Sequence, residues 1–304
     1  MAKRKAYGNK INGILLLDKP QGITSNAALQ TVKRLFMARK AGHTGSLDPL
    51  ATGMLPICFG EATKMSAFLL EADKRYLVQI KLGEKTSTAD AEGEIIERKA
   101  VLEVNESRVR QVMDSFRGQI EQIPPMYSAI KQNGQPLYKL ARQGISVGRA
   151  PRKVVIHELT LTGIQEDILE LEVHCSKGTY IRTLAEDLGD QLGCGAHVVK
   201  LRRLAVAKFD AESMVSLDDI KNLAERGKND LYQRLLPTES ALSQWPEVNL
   251  STDVAYFLKK GQAVLVPQAP KQGFVRLYSG ESGFLGVGQI LDDGRVAPRR
   301  LVNI

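Results

Sequence analysis

A single carboxylate, Asp48, lies in a glycine-rich loop whose composition favours unusual backbone angles. The loop reads GHTGSLDPLATG over residues 42–53, and Asp48 is the one acidic residue between Lys19 and Gly60. Glycines and Pro49 surround it, so the main chain can adopt turns that most sequences avoid. An isolated acid in such a loop is a candidate for chemistry that needs one carboxylate.

Several kinds of carboxylate site do not fit this loop. Calcium and magnesium sites draw on several oxygen ligands, and this loop offers one carboxylate. Walker phosphate loops need G-x-x-x-x-G-K-[ST], and GHTGSLDP lacks the lysine. A glycosidase needs a second carboxylate, and none is near in sequence, although a distant one could approach in the fold. Three roles for Asp48 stay open: a cap of a turn or helix, a nucleophile, or a general base.

A nucleophilic Asp48 would need a cation beside it. An aspartate has a reference pKa of about 3.9, and desolvation in a pocket raises that pKa. Arginine is the suitable partner, because it stays charged and can bind both carboxylate oxygens.

The flanking sequence predicts elements that position this loop. Residues 11–18, INGILLLD, are typical of a buried strand, and Thr24 or Ser25 can cap a helix that follows. Residues 41–53 are predicted to be loop and residues 61–70 a short helix. Further along, the pattern predicts a strand in RYLVQIKLG, a polar turn over 83–94 and a helix over 105–117. It then predicts paired strands over 153–161 and 168–175, a helix from Ile181, and a strand over 196–209.

A basic segment without any acid lies between Pro124 and Val154. It also holds Tyr127 and Tyr138. A solvated hairpin is one interpretation, and an arm that grips a phosphate backbone and stacks on bases is the other. The absence of acids favours the arm. Its cations are Lys131, Lys139, Arg142, Arg149, Arg152 and Lys153.

The overall numbers are those of a soluble globular protein of two domains. The chain has 304 residues, 43% hydrophobic and 25% charged, with a net charge of +8. The sequence contains no run of about 18 apolar residues, so it predicts no membrane span. The apolar run GILLL is shorter than a signal-peptide core of about 7–15 residues, so a cytoplasmic protein is expected. Three scattered cysteines and four scattered histidines predict neither disulfides nor a metal cluster.

A domain boundary is predicted near residues 237–250, which contain Trp245 and Pro246. The remaining residues are short apolar runs separated by glycine, which favours a small β-barrel.

Five long motifs follow one another in the chain: GILLLDKPQGITS, GHTGSLDPLATG, KRYLVQIKLGEKTSTADAEG, IPPMYSAIKQNGQPLYKLARQG and CSKGTYIRTLAEDLG. In this order they resemble the TruB family of tRNA pseudouridine synthases. The likeness covers nearly all of the first 210 residues, and the last 55 resemble a PUA domain more loosely. The resemblance implies an α+β pseudouridine synthase fold, with a mixed, mostly antiparallel central sheet and flanking helices. It also implies a catalytic domain over 1–247 and a PUA-like RNA-binding barrel over 248–304.

The resemblance also implies an activity. The family isomerises the uridine at position 55, in the T arm of tRNA, to pseudouridine without a cofactor or metal. Asp48 matches the family's essential aspartate, acting as a nucleophile or base. Arg182 would be its cation, Tyr76 would stack on the target base, and Tyr180 would line the uracil pocket.

Four further residues match the family's substrate contacts. His43 would touch the RNA where the base is extruded, and Leu201 would close the pocket from its apolar side. Lys19 and Lys64 would contact a phosphate or the pocket. Taken singly, Tyr76 and Leu201 would be interpreted as core residues. His43 would be interpreted as an exposed loop residue and Arg182 as a surface charge.

Two rival functions remain. One is an RNA-binding module that assists tRNA folding without required chemistry, for which Asp48 and Arg182 would be unnecessary. The other is a guide-RNA-dependent relative that works within a multiprotein particle. The basic arm favours the stand-alone enzyme, which is expected to be a monomer with tRNA as its partner, no obligatory protein partner and no membrane association.

Overall fold

The computed structural model describes residues 8–102, 104–280 and 283–303. The strands in chain order are β1 Gly13–Lys19, β2 Ala41–His43, β3 Thr52–Phe59, β4 Lys74–Leu82, β5 Glu84–Thr86, β6 Ile95–Arg98, β7 Gly118–Gln122, β8 Lys131–Gln132, β9 Gln135–Pro136, β10 Arg152–Gln165, β11 Ile168–Cys175, β12 Ala196–Val206, β13 Val215–Ser216, β14 Glu247–Leu250, β15 Phe274–Ser279, β16 Gly283–Ile290 and β17 Val296–Leu301. The helices are α1 Ser25–Leu35, α2 Ser66–Leu70, α3 Glu106–Asp114, α4 Leu137–Ala141, α5 Ile181–Leu192, α6 Leu217–Arg226, α7 Lys228–Tyr232 and α8 Thr252–Lys259.

The contacts within the chain group it into two compact units. One unit contains residues 1–48, 54–70 and 207–304, and the other contains residues 49–53 and 71–206. We call them the first and second units. The predicted domains over residues 1–247 and 248–304 stay a prediction.

The first unit is built around β1, a strand buried along nearly its whole length. Its strand order is β13-β1-β3, and β2 pairs with β3. The β1–β13 pairing is parallel and the β2–β3 pairing antiparallel, so the arrangement is mixed. Helix α1 contributes Ala28 and Val32 to a hydrophobic cluster that also contains Leu55 and Ile57 of β3. Phe36, the residue that follows the helix, belongs to the same cluster. Thr24 caps α1 by accepting a hydrogen bond from the Ala27 N–H, as predicted.

The second unit is a mainly antiparallel sheet in the order β12-β4-β11-β10-β7. Every second residue of β4 is buried, which confirms the alternation of RYLVQIKLG. Residues Thr52 and Gly53, at the start of β3, pair in parallel with Arg202 and Arg203 of β12. The predicted pair of strands over 153–161 and 168–175 is present as β10 and β11, and the helix from Ile181 is α5.

The C-terminal strands form a sheet in the order β14-β15-β16-β17 within the first unit. Among the described residues β14 and β17 are its two edges, so the sheet is open where a closed barrel was expected. Phe284 and Val287 of β16, together with Val302 just after β17, share a hydrophobic cluster with Ile14 and Met65.

Two local predictions need correction. Residues 41–43 were predicted to be loop, but they form β2, in which Ala41, Gly42 and His43 lie opposite Phe59, Cys58 and Ile57. The turn over 83–94 contains the short strand β5, which pairs with β6. β2 and β5 are each three residues long, too short to produce a periodic pattern.

The basic segment begins after β7 and ends in β10. It contains the small hairpin of β8 and β9, followed by α4. None of the helices described here is long and apolar enough to span a bilayer.

Candidate active site

Asp48 follows a residue that is held tightly to the start of α1. The Ser25 hydroxyl accepts a hydrogen bond from the Leu47 N–H at 2.7 Å and donates to the Leu47 carbonyl at 3.0 Å. Ser25 and Leu47 are buried, whereas Asp48 is half-buried. The loop is thus anchored one residue before its carboxylate, which limits the positions that this carboxylate can take.

The loop leaves Asp48 through a glycine that other residues could not replace. Gly53 has a φ of 96°, and a Cβ there would lie 2.3 Å from the Arg203 carbonyl oxygen. Such an approach is far inside van der Waals distance, so the β3–β12 pairing requires a glycine here. This pairing fixes the chain five residues after Asp48.

The remaining candidates of the first unit sit close to its sheet. His43 is a half-buried residue of β2. The Lys19 side chain is fully buried, and its ammonium donates to the carbonyls of Pro20 and Ile23, both at 2.8 Å. Lys64 lies 2.6 Å from Glu61 and donates to the Leu301 carbonyl at 2.9 Å.

These contacts bear on the predicted phosphate contacts of the two lysines. Lys19 stabilises the turn before α1, and Lys64 joins Glu61 and the distant Leu301 carbonyl. A phosphate contact would require the bonds of Lys19 to open, because no part of its side chain is exposed. The phosphate or pocket contacts of Lys19 and Lys64 stay a prediction.

Four candidates belong to the second unit. Tyr76 and Leu201 are buried residues of the neighbouring strands β4 and β12, where Leu201 lies opposite Val78. Tyr180 immediately precedes α5 and is half-buried, and Arg182 lies in the first turn of that helix. Helix α5 packs on β12 and β4, so the sheet and the helix start position all four.

Arg182 is buried and held by several oxygen atoms. Its Nη1 donates to the Thr88 carbonyl at 2.9 Å, and its Nη2 donates to the Tyr127 carbonyl at 2.7 Å. Nη1 also lies 3.4 Å from Oδ2 of Asp90, and the two side chains are 7% and 3% exposed. A buried guanidinium with this many partners has a fixed orientation.

Asp90 was not among the predicted site residues. It lies in the turn after β5, where it also accepts hydrogen bonds from the Thr88 hydroxyl and the Glu92 N–H. The turn is attached to β12 through the Ala91 N–H, which donates to the Val198 carbonyl at 2.8 Å. The motif KTSTADAEG contains this residue, but its polar character indicated only a turn.

A second buried cation lies on the strand of Tyr76. Lys74 is 7% exposed and donates to the Ala72 carbonyl. Burial, and then the nearby Arg203 guanidinium, lower the pKa of Lys74 to about 8. Lys74 therefore loses its charge at a lower pH than an exposed lysine does.

We expect Lys74→Met to be more stable than wild type at about pH 8. This difference in the free energy of unfolding should shrink as the pH rises from about 8 to 10.5. Below that range the folded protein must hold a buried charge, whereas in the unfolded chain the ordinary pKa is 10.5. The free energy of unfolding of wild type should rise by up to about 3 kcal/mol relative to that of the variant across this pH range. Urea unfolding at several pH values measures this, with Lys81→Met, half-exposed on the other face of β4, as the control. A difference that does not change with pH would contradict the buried charge.

The six cations of the basic segment are not equivalent. Arg149 is half-buried, and its Nη1 donates to the Pro124 carbonyl at 3.0 Å. Arg142 lies 5.7 Å from the centre of the Tyr138 ring. The exposed members are Lys131, Lys139, Arg142, Arg152 and Lys153. Arg149 thus ties the two ends of the segment together, while the others face solvent.

Within the described residues, no group of three or more His, Cys, Asp and Glu is placed to hold a metal ion.

Three family profiles match consecutive parts of the chain. Residues 33–181 match the TruB family pseudouridylate synthase N-terminal domain. Residues 182–243 match the tRNA pseudouridylate synthase B C-terminal domain, and residues 246–302 match the C-terminal region of pseudouridine synthase II TruB.

Whole-length relatives agree with these profiles. A tRNA pseudouridine synthase B of Nitrosococcus oceani is 58% identical over 300 residues, which cover 99% of this chain and 97% of that protein. One from Coxiella burnetii is 54% identical over 299 residues, covering 98% and 97%. The chain belongs to the TruB family. The resemblance noted in its motifs is thereby confirmed.

Solved structures extend the TruB likeness to the fold. A crystal structure of a Cbf5-Nop10-Gar1 complex contains a chain with a TM-score of 0.72 and 25% identity, covering 96% of this chain and 83% of that one. A structure of an H/ACA RNP bound to a substrate RNA containing 2′-deoxyuridine gives a TM-score of 0.73 at 22% identity, covering 100% and 92%. The expected pseudouridine synthase fold is confirmed.

Proposed function

We propose that the protein isomerises a uridine in the T arm of tRNA, at position 55, to pseudouridine. The observation that supports this most strongly is the 58% identity, over nearly the whole chain, to a tRNA pseudouridine synthase B. The loop of Asp48, the buried Arg182 and the acid-free basic segment each fit a step of that reaction.

The reaction breaks the bond from C1′ of the ribose to N1 of uracil and remakes it to C5. We propose that Asp48 supplies the negative oxygen for this step, as a nucleophile or a base. Its neighbour Leu47 is clamped by Ser25, so the carboxylate is presented from an anchored loop. We further propose that Arg182 keeps it ionised, because a guanidinium stays charged in a desolvated pocket.

A uridine within a folded tRNA must leave its stack before its glycosidic bond can be attacked. Extrusion of a base costs a few kcal/mol. We propose that the Tyr76 ring offsets part of this cost by stacking, which contributes roughly 1–3 kcal/mol per base. Tyr180 and Leu201 would line the same uracil pocket, and His43 would contact the RNA beside the extruded nucleotide.

We propose that the basic segment 124–153 and the residues after 247 hold the RNA by shape and phosphate contacts. The exposed cations of the segment support this, because phosphate binding requires accessible charge. The C-terminal sheet would act as a PUA-like module. The protein should then recognise little of the RNA sequence outside the loop that carries the target uridine.

Deleting residues 128–150 should weaken tRNA binding and flatten its dependence on salt, because the number of counterions released scales with the number of phosphates that the protein neutralises. The deletion keeps Tyr127, whose carbonyl binds Arg182. A milder variant replaces the exposed Lys131, Lys139 and Arg142 by glutamine, and its salt slope should fall by about one for each phosphate that is no longer neutralised. Lys221→Gln, an exposed position on α6, is the matched control. An unaltered slope in both arm variants would show that the segment is not a phosphate clamp.

The direct test is incubation of the pure protein with an unmodified T-arm stem-loop. We expect pseudouridine at the target position with no added cofactor, metal, guide RNA or protein. The guide-RNA-dependent rival would give no product here. An RNA-folding module would bind the stem-loop and also leave it unmodified.

We further propose that the enzyme is a cytoplasmic monomer. Light scattering coupled to size-exclusion chromatography, with and without tRNA, tests the oligomeric state. A dimeric mass for the free protein would contradict this part of the proposal.

A further inference from the structure

The side chain of Gln122 holds the main chain of Tyr180 by two hydrogen bonds. The Tyr180 N–H donates to Oε1 of Gln122 at 3.0 Å, and Nε2 of Gln122 donates to the Tyr180 carbonyl at 3.2 Å. Gln122 is 2% exposed. One amide that binds both polar groups of a residue fixes the position and the orientation of its peptide groups, as a neighbouring strand would.

This clamp acts where helix α5 begins. Tyr180 is the N-cap residue of α5, with extended backbone angles, and its own side chain makes no capping hydrogen bond. Helix starts usually depend on such a cap for their exact placement. At α5 the Gln122 amide instead fixes the residue from which the first turn, and with it Arg182, follows.

The same stretch of chain also reaches Arg182 directly. The carbonyl of Tyr127, five residues after Gln122, accepts the hydrogen bond from Nη2 of Arg182. Gln122 itself pairs with Arg152 in the rung of β7 and β10 nearest the basic segment. We call residues 122–127 the root of that segment. The root therefore fixes the start of α5 at two points, through Gln122 and through Tyr127.

We propose that Gln122 is a positioning residue for the isomerisation, holding Tyr180 and Arg182 in their reactive arrangement at the root of the RNA-gripping segment. The inference rests on the proposed function, because Tyr180 and Arg182 have a reactive arrangement only if they act on the uridine. Gln122 acts through these two residues and does not touch the substrate.

The test is Gln122→Met, which keeps the side-chain volume and removes both hydrogen bonds. The rate of a single turnover on the T-arm stem-loop should fall roughly 10- to 100-fold, since small displacements of reacting groups have effects of this size. The dissociation constant of tRNA should stay within about threefold, because binding uses other contacts. A purely structural role would instead reduce the folded fraction and leave the rate per bound complex unchanged.

A conservative variant and a control sharpen the result. Gln122→Glu can still accept from the Tyr180 N–H but cannot donate to its carbonyl, so its single-turnover rate should lie between those of wild type and Gln122→Met. Gln119→Met, at an exposed position on the same strand, should behave as wild type. Amide exchange at Tyr180 should accelerate in Gln122→Met and not in Gln119→Met.

The outcomes separate this inference from the proposed function. Wild-type protein that makes no pseudouridine would overturn both. An active wild type together with a folded Gln122→Met that reacts at the wild-type single-turnover rate would overturn the inference alone. Should Gln122→Met fail to fold, Gln122→Glu decides, and a wild-type rate in that variant overturns the inference.

Discussion

Asp48→Asn is expected to abolish pseudouridine formation while the affinity for tRNA stays within a few fold. Asparagine has the shape of aspartate but carries no negative charge, so it can neither attack carbon nor remove a proton. The single-turnover rate should fall by at least roughly 10⁴-fold, as it does when a nucleophile or base is removed from other enzymes. Quantifying pseudouridine in the stem-loop and measuring tRNA binding by filter retention give the two numbers.

A second variant in the same loop separates chemistry from loop structure. Ser46→Ala changes an exposed residue two positions before Asp48 and should retain activity. Measurable turnover by Asp48→Asn would remove the aspartate from its proposed role. A large drop in tRNA affinity would instead assign Asp48 to binding.

Arg182→Met is expected to cause the next largest decrease in rate. The variant removes the guanidinium proposed to keep Asp48 ionised, so the rate should fall roughly 10²- to 10³-fold, the cost of removing one preorganised charged donor. The acid side of the pH–rate profile should move to higher pH, because Asp48 would then bind a proton more readily. An unchanged profile would speak against the ion pair with Asp48.

Arg182 contributes to the stability of the fold as well. Arg182 also lies beside the buried carboxylate of Asp90, and removing one member of a buried pair costs about 3–5 kcal/mol of stability. The double variant Arg182→Met/Asp90→Asn removes the stranded charge. We expect it to recover much of the stability that Arg182→Met forfeits without recovering activity. Recovered activity would mean that Arg182 acts on the fold and not on the reaction.

Regular elements were predictable because burial leaves a periodic pattern in the sequence. The alternation from Tyr76 to Leu82 correctly placed β4, and the spacing of Ile181, Leu184 and Leu188 correctly placed α5. The junction before α5, with Tyr180 and Arg182, was placed for the same reason. The strand β2 was missed because three residues are too few to show a pattern.

The supporting residues of the site could not be predicted in the same way. Asp90 is buried because its turn folds against β12 and Arg182, contacts between distant parts of the sequence. Ser25 was interpreted as a possible helix cap, yet its hydroxyl holds Leu47. Gln122 is one glutamine at the end of a strand, with no local signal. Each depends on tertiary contacts that composition and spacing do not encode.

The central claim is that the Asp48 carboxylate, kept ionised by Arg182, acts at the sugar–base bond of an extruded uridine. The most direct test is a crystal structure of the protein bound to a T-arm stem-loop with 5-fluorouridine at the target position. We predict a carboxylate oxygen of Asp48 against the extruded nucleotide and within about 4 Å of the Arg182 guanidinium. A bound complex in which these two side chains lie well apart, or in which Asp48 faces bulk solvent, would contradict the claim.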